Sequence, residues 1–241
     1  MVMCLFGLTP AGRHCRLIGT ARHGEGMSDR LLYRLAGWTG LLGGVLTLIA
    51  AARRGGLVPE NPLTHALAPP ASAMLLFTLT ALYLCQRHAA GPLGLAGFVL
   101  NHLGLSGLFA VEFLTHAVFQ FQDAATREAL LTGPGRPYFL VVALTFLVGV
   151  IVFGIASWRA GVLPRGALVL YVLGLSAAAL RTSVPEAVYL GGLVVGSAGL
   201  LWLSVSLIER AGAENVIRAG QAPARSARSR PPRSGDCRPP A

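Results

Sequence analysis

The chain has 241 residues, of which 54% are hydrophobic and 12% charged, about half the charged share of an average soluble domain. That composition excludes an ordinary soluble globular domain and reads as a multi-pass membrane protein rich in packed apolar helices. All 20 basic residues are Arg and the ten acids leave a formal charge of +10; with no basic helix, zinc pattern or aromatic binding face beside it, that charge predicts no nucleic-acid partner.

Residues 1–30 are mixed and basic, without the apolar run of a signal peptide. Met27 opens "MSDRLLYRLAGW", which reads as a natural amino terminus, so residues 1–26 are expected to be a poorly ordered extension. From Arg34 onward, charge-free windows mark the spans, because crossing a hydrocarbon core of about 30 Å takes roughly 20 apolar residues. They fall at 35–52, 68–86, 92–119, 138–158, 163–181 and 187–208. Backbone groups in lipid must bond internally, and the runs lack the two-residue alternation of a barrel. The fold class is therefore all-α, a polytopic bundle of six transmembrane helices over 31–210. The basic Arg/Pro/Ser-rich tail, 211–241, has too little apolar area to fold alone and is expected to be disordered after about residue 218.

Counting Arg in alternate segments gives 15 on the side of the two termini and five on the other. The excess predicts both termini in the cytoplasm. A bacterial inner membrane is the expected location and the lipid bilayer the expected partner.

Gly40 with Gly44, and Gly192 with Gly196, form small-residue faces that let backbones approach closely. They serve packing inside the bundle or a homodimer face. A 70-residue offset lays Gly91, Val99 and Leu103–Ser106 over Gly161, Val169 and Leu173–Ser176, a faint repeat of a helical hairpin.

The third span carries the chemistry. At about 100° per residue, Asn101, His102, Glu112, His116 and Gln120 share an arc roughly 100° wide. Ionisable groups are costly in hydrocarbon, so this face should look into the bundle or a wet cavity. A tight turn near residue 90 would put His65 and His116 at the same outer level, with Glu112 one turn deeper. The short connection after the fifth span brings Arg181 and Glu186 to that end. His65, Glu112, His116, Arg181 and Glu186 thus form a candidate ring around an outward cavity, with Asn101 and His102 deeper; Arg181 with Glu186 reads equally as a surface ion pair.

Other chemistry is not expected. His102 and His116 have a spacing that resembles paired haem ligands on one helix of the b-type cytochromes, but no second helix matches both, leaving at most one haem between His65 and His116. Glu112 and His116 supply two metal ligands where zinc wants three or four, so no metal is assigned. Cys4, Cys15, Cys85 and Cys237 have no ligand-like spacing, and neither a nucleophile elbow nor a phosphate loop is present. No catalytic residue and no cofactor are expected.

The block "ALYLCQRHAAGPLGLAGFVLNHLGLSGLFAVEFLTHAVF" and the later "FGIASWRAGVLPR" resemble a family of uncharacterised six-helix integral membrane proteins of high-GC bacteria, a domain of unknown function. The likeness covers about residues 31–208 and implies architecture without an activity. The expected function is structural, accessory or sensing, without turnover. A small transporter or lipid-handling protein using a cavity around Glu112 is the alternative, and a single b-type haem protein a remote one.

Overall fold

A computed structural model describes residues 25–133, 135–181 and 183–228. Seven α-helices make up the fold, with no strand among the described residues: α1 (Glu25–Arg54), α2 (Pro62–Ala66), α3 (Ala68–Phe113), α4 (Ala124–Thr132), α5 (Arg136–Ala160), α6 (Arg165–Ala179) and α7 (Glu186–Arg228). A π turn, Leu114–Val118, and a 3-10 turn, Phe119–Phe121, continue from α3.

Among the described residues four helices are long and apolar enough to cross a membrane, Leu31–Arg54, Pro62–Val118, Arg136–Ala160 and Glu186–Gly212. Six separate spans were expected. Two of them, 68–86 and 92–119, are the limbs of α3, which is interrupted at Gly91 (φ 58, ψ −159) with Pro92 just after it. That φ/ψ combination is essentially reserved for glycine. The chain reverses there: Tyr83 and Phe98, fifteen positions apart, stack with ring centroids 4.5 Å apart, where a straight helix would separate them by about 22 Å. The third span is α-helical only to Phe113, and the fifth shortens from 163–181 to Arg165–Ala179 because Pro164 holds an extended N-cap conformation. At 15 residues, α6 is about 22 Å long.

At the ends, α1 begins at Glu25 and α7 is helical through Arg228. Ala and Arg, both good helix formers, are frequent in that last stretch. Residues 1–24 and 229–241 lie outside the described residues, as does the side chain of Gln120.

The rods close into a ring in which α1 touches α7 and the first limb of α3, the second limb lies on α5, α5 touches α6, and α6 returns to α7. Glycines set the spacing. Gly40 faces Thr78 of α3 and Ser204 of α7, Gly44 faces Leu201, and Gly192 and Gly196 face the backbone of α6 at Gly174 and Leu175. Both small-residue faces thus pack against neighbouring helices of the same chain. The interior holds Phe153, Leu82, Leu168, Leu203 and Leu207, all fully buried. Outside, Val141, Leu144, Val148, Ile151 and Ile155 form an exposed stripe along α5, with a helical period that suits lipid contact and not water.

Charge separates along the bundle. The end holding the Gly91 turn gathers Arg34, Arg87, Arg159, Arg165 and Arg210 against one acid, Glu209. The opposite end gathers Arg53, Arg54, Arg127, Arg136 and Arg181 against Glu60, Glu112, Asp123, Glu128 and Glu186. Among the described side chains the first end is therefore net positive and the second balanced. The two halves of the suspected repeat share one feature: Gly91 and Gly161, 70 positions apart, both take positive φ, 58° and 65°.

Candidate functional site

Three local structures assemble the site at the balanced end. The last turn of α1 supplies Arg53 and Arg54, cations at the negative end of a helix dipole. After a short turn, Asn61 caps α2: its side chain accepts from Thr64 N at 2.8 Å, the Thr64 hydroxyl accepts from Asn61 N at 3.1 Å, and Pro62 opens the helix. This reciprocal box fixes His65 in the last turn of α2. The third part is the π turn, which widens the backbone after Phe113 and carries His116; such turns in an α-helix often occur at functional positions.

Glu112 is the hub. Arg54 Nη2 donates to both carboxylate oxygens, at 3.0 and 3.2 Å, and His116 Nε2 lies 3.0 Å from Oε2. The other Arg54 nitrogen donates to the Tyr189 hydroxyl on α7, and the Arg54 and Arg181 guanidinium carbons lie 5.6 and 5.3 Å from the centroid of the Tyr189 ring. His116 Nδ1 meets His65 Nδ1 at 2.9 Å. One carboxylate thus ties together α1, α2, the end of α3 and α7.

Partner chemistry assigns the protons. An ionised carboxylate only accepts, so His116 Nε2 carries hydrogen and donates to Glu112. Its Nδ1 then accepts from His65 when His116 is neutral, or donates to His65 when His116 is an imidazolium. Glu112, His116 and His65 therefore form a continuous chain of exchangeable protons from the bundle interior to the half-buried His65. Arg53 gains little from this arrangement. It is 3% exposed, its Nη2 lies 3.4 Å from a His116 nitrogen that is already a donor, and Nε and Nη1 have no partner.

The structure brings together His65, Glu112 and His116, with Arg181 at the edge on Tyr189. Glu186 is exposed and makes no ion pair with Arg181 among the described residues. Asn101 and His102 sit deeper and apart from the cluster. Asn101 is fully buried and donates to the Tyr171 hydroxyl on α6 at 2.5 Å, leaving its Oδ1 unpaired; the His102 ring lies 5.4 Å from Phe98 and its Nδ1 is buried without a partner. Tyr171 lies 70 positions after Asn101, the offset of the suspected repeat. Arg53, Arg54 and Tyr189 were not singled out in the sequence. A signal for Arg54 existed: the one acid inside a span needs a cation at its own depth, and the first span ends in two.

The cavity also differs from expectation. Instead of an outward-facing bowl, a central cavity of about 120 Å³ is lined by all the long rods, including Leu75, Leu79, Leu105, Phe146, Leu175 and Leu200, with Arg54, Glu112 and Tyr189 at one end. Of the expected ring only Glu112 lines it. His116 borders a separate outer groove with Pro69, Pro70, Phe109 and Phe113. The two imidazoles of His65 and His116 are in direct contact, ring centroids 5.0 Å apart. No group of three or more His, Cys, Asp or Glu side chains able to hold a metal occurs among the described residues.

No protein family, curated relative or solved structure matches the chain.

Proposed function

We propose that this is a non-catalytic membrane protein, accessory or sensing in kind, whose polar residues clamp one end of a helical ring around an apolar cavity. The observation that carries this reading is Glu112, paired by Arg54 and His116 from separate elements: a half-buried carboxylate whose partners are supplied within the bundle ties the end of α1 to the end of α3. The ring has six passes, the two limbs of α3 counting separately. Its net positive end faces the cytoplasm of a bacterial cell together with both termini, following the bias of Arg toward the cytoplasmic side.

The test is thermal unfolding in detergent against a panel of lipids, quinones, amines and metal ions. Glu112→Gln and His116→Ala should lower the midpoint, with no ligand shifting the parent. A ligand that stabilises the parent but not Glu112→Gln would overturn this reading in favour of the second, a small transporter or lipid-handling protein. That alternative is supported by Arg54 and Glu112 lying on the wall of the central cavity.

A further inference from the structure

Away from the charge network, the lipid-facing side of the ring has a groove between α5 and α6. Its volume is about 320 Å³, and its walls include Ile151, Ile155, Trp158, Val169 and Val172, with Arg159 as its one charged member. From Ile151 to Arg159 the groove follows α5 for about 12 Å. Its walls are apolar, and most of these side chains are exposed on the outside of the bundle.

The mouth of the groove is cationic. Arg159 ends α5, and the Arg165 guanidinium lies over the Trp158 ring, 5.4 Å from its centroid. Both Arg side chains are exposed. Neither has an ion pair among the described residues, and the one acid among the described side chains at this end, Glu209, is on α7. Arg165 also stands in the first turn of α6, where the helix dipole disfavours a cation, so an anion beside it relieves a local repulsion. Trp202 packs over Gly166 one residue on, and Trp38 is exposed one turn from Arg34. All three Trp residues therefore mark the level of the basic end, as side chains at a membrane–water interface do.

An apolar slot of this length, opening into lipid and ending in two unpaired guanidiniums at headgroup level, fits an acyl chain with a negatively charged head. We propose that the α5–α6 groove binds an anionic phospholipid, one acyl chain lying along Ile151, Ile155 and Val172 and the phosphate held by Arg159 and Arg165. This rests on the membrane-spanning reading, which the zwitterionic-lipid measurement below tests on its own.

The test uses the full chain in phosphatidylcholine vesicles with Trp38→Phe and Trp202→Phe, so that Trp158 is the only reporter. Brominated phosphatidylglycerol and brominated phosphatidylcholine are titrated separately. Quenching by brominated phosphatidylcholine at high mole fraction reports that Trp158 lies in the bilayer. Brominated phosphatidylglycerol should quench at a mole fraction lower by tenfold or more, and each of Arg159→Gln and Arg165→Gln should reduce that preference by about fivefold. Equal quenching by the two lipids, or a preference that survives removal of both Arg side chains, overturns the proposal. So does a Trp158 that neither lipid quenches, as when a second copy of the chain covers the face.

Discussion

Arg54→Met is the most informative single change, because it removes the cation from Glu112 while leaving the hydrocarbon stem in place. The Arg54 and Glu112 side chains are 14% and 22% exposed, so water can only partly replace the lost partner. Breaking a buried ion pair by deleting one member costs about 3–5 kcal/mol. The residual exposure pulls this toward the lower bound, while the Tyr189 hydroxyl, which also loses its Arg54 donor, adds about 1 kcal/mol. The expected loss is about 3–4 kcal/mol, read from reversible unfolding in bicelles by titration with dodecyl sulfate. Removing both charges should recover much of it: Arg54→Met with Glu112→Leu leaves no unpaired buried ion and should fall within about 1–2 kcal/mol of the parent. Two results would refute the reasoning. A loss below about 1 kcal/mol for Arg54→Met would mean that the pair is solvated, and a double variant as unstable as the summed singles would mean that the two residues act independently.

Arg53 should behave in the opposite way. Since Nε and Nη1 of this buried side chain have no acceptor, Arg53→Met should be neutral or stabilising by up to about 2 kcal/mol, and the same unfolding titration separates it from its neighbour. Gly91→Ala forces a side chain into a backbone region that only glycine occupies cheaply, although nothing lies within 4 Å of the new Cβ. A loss of about 1–3 kcal/mol is expected, whereas a parent-like value would show that the turn relaxes. Tyr171→Phe strips the fully buried Asn101 of its one partner, at about 1–3 kcal/mol; hydrogen exchange of the second limb of α3 and of α6 should accelerate locally, and unchanged exchange would count against the contact.

The rods were legible because hydrocarbon thickness and charge-free runs leave little freedom, and because most boundaries carry Pro, Gly or Arg, the end of the third span being the exception. Depth was legible as well: a turn near residue 90 sets His65 level with His116, and the two rings meet. What the uniform helical wheel cannot express is depth, since about ten residues of rise along α3 part Asn101 and His102 from Glu112, and the π turn after Phe113, which changes the phase at His116 alone. Arg53 and Arg54 went unread for another reason. Counted as topology charges in a loop, they belong to the last turn of α1 and fold back onto the bundle. Tyr189 resembles any other aromatic residue until α7 is set beside α1. The glycine faces were legible as close contacts, but their partners emerge only from the order of rods around the ring.

The pairing of Arg54 with Glu112 also bears on how the chain is made. In the proposed orientation, α1 must send two guanidiniums to the far side of the membrane before their carboxylate exists. Glu112 follows Arg54 by 58 residues, which at 5–20 residues per second is about 3–12 s of synthesis. During that interval the first helix carries its charges at the outer headgroups without a protein partner. It becomes fixed only when the hairpin turning at Gly91 has inserted whole, so the network records an order of assembly, with the first pass waiting for the third.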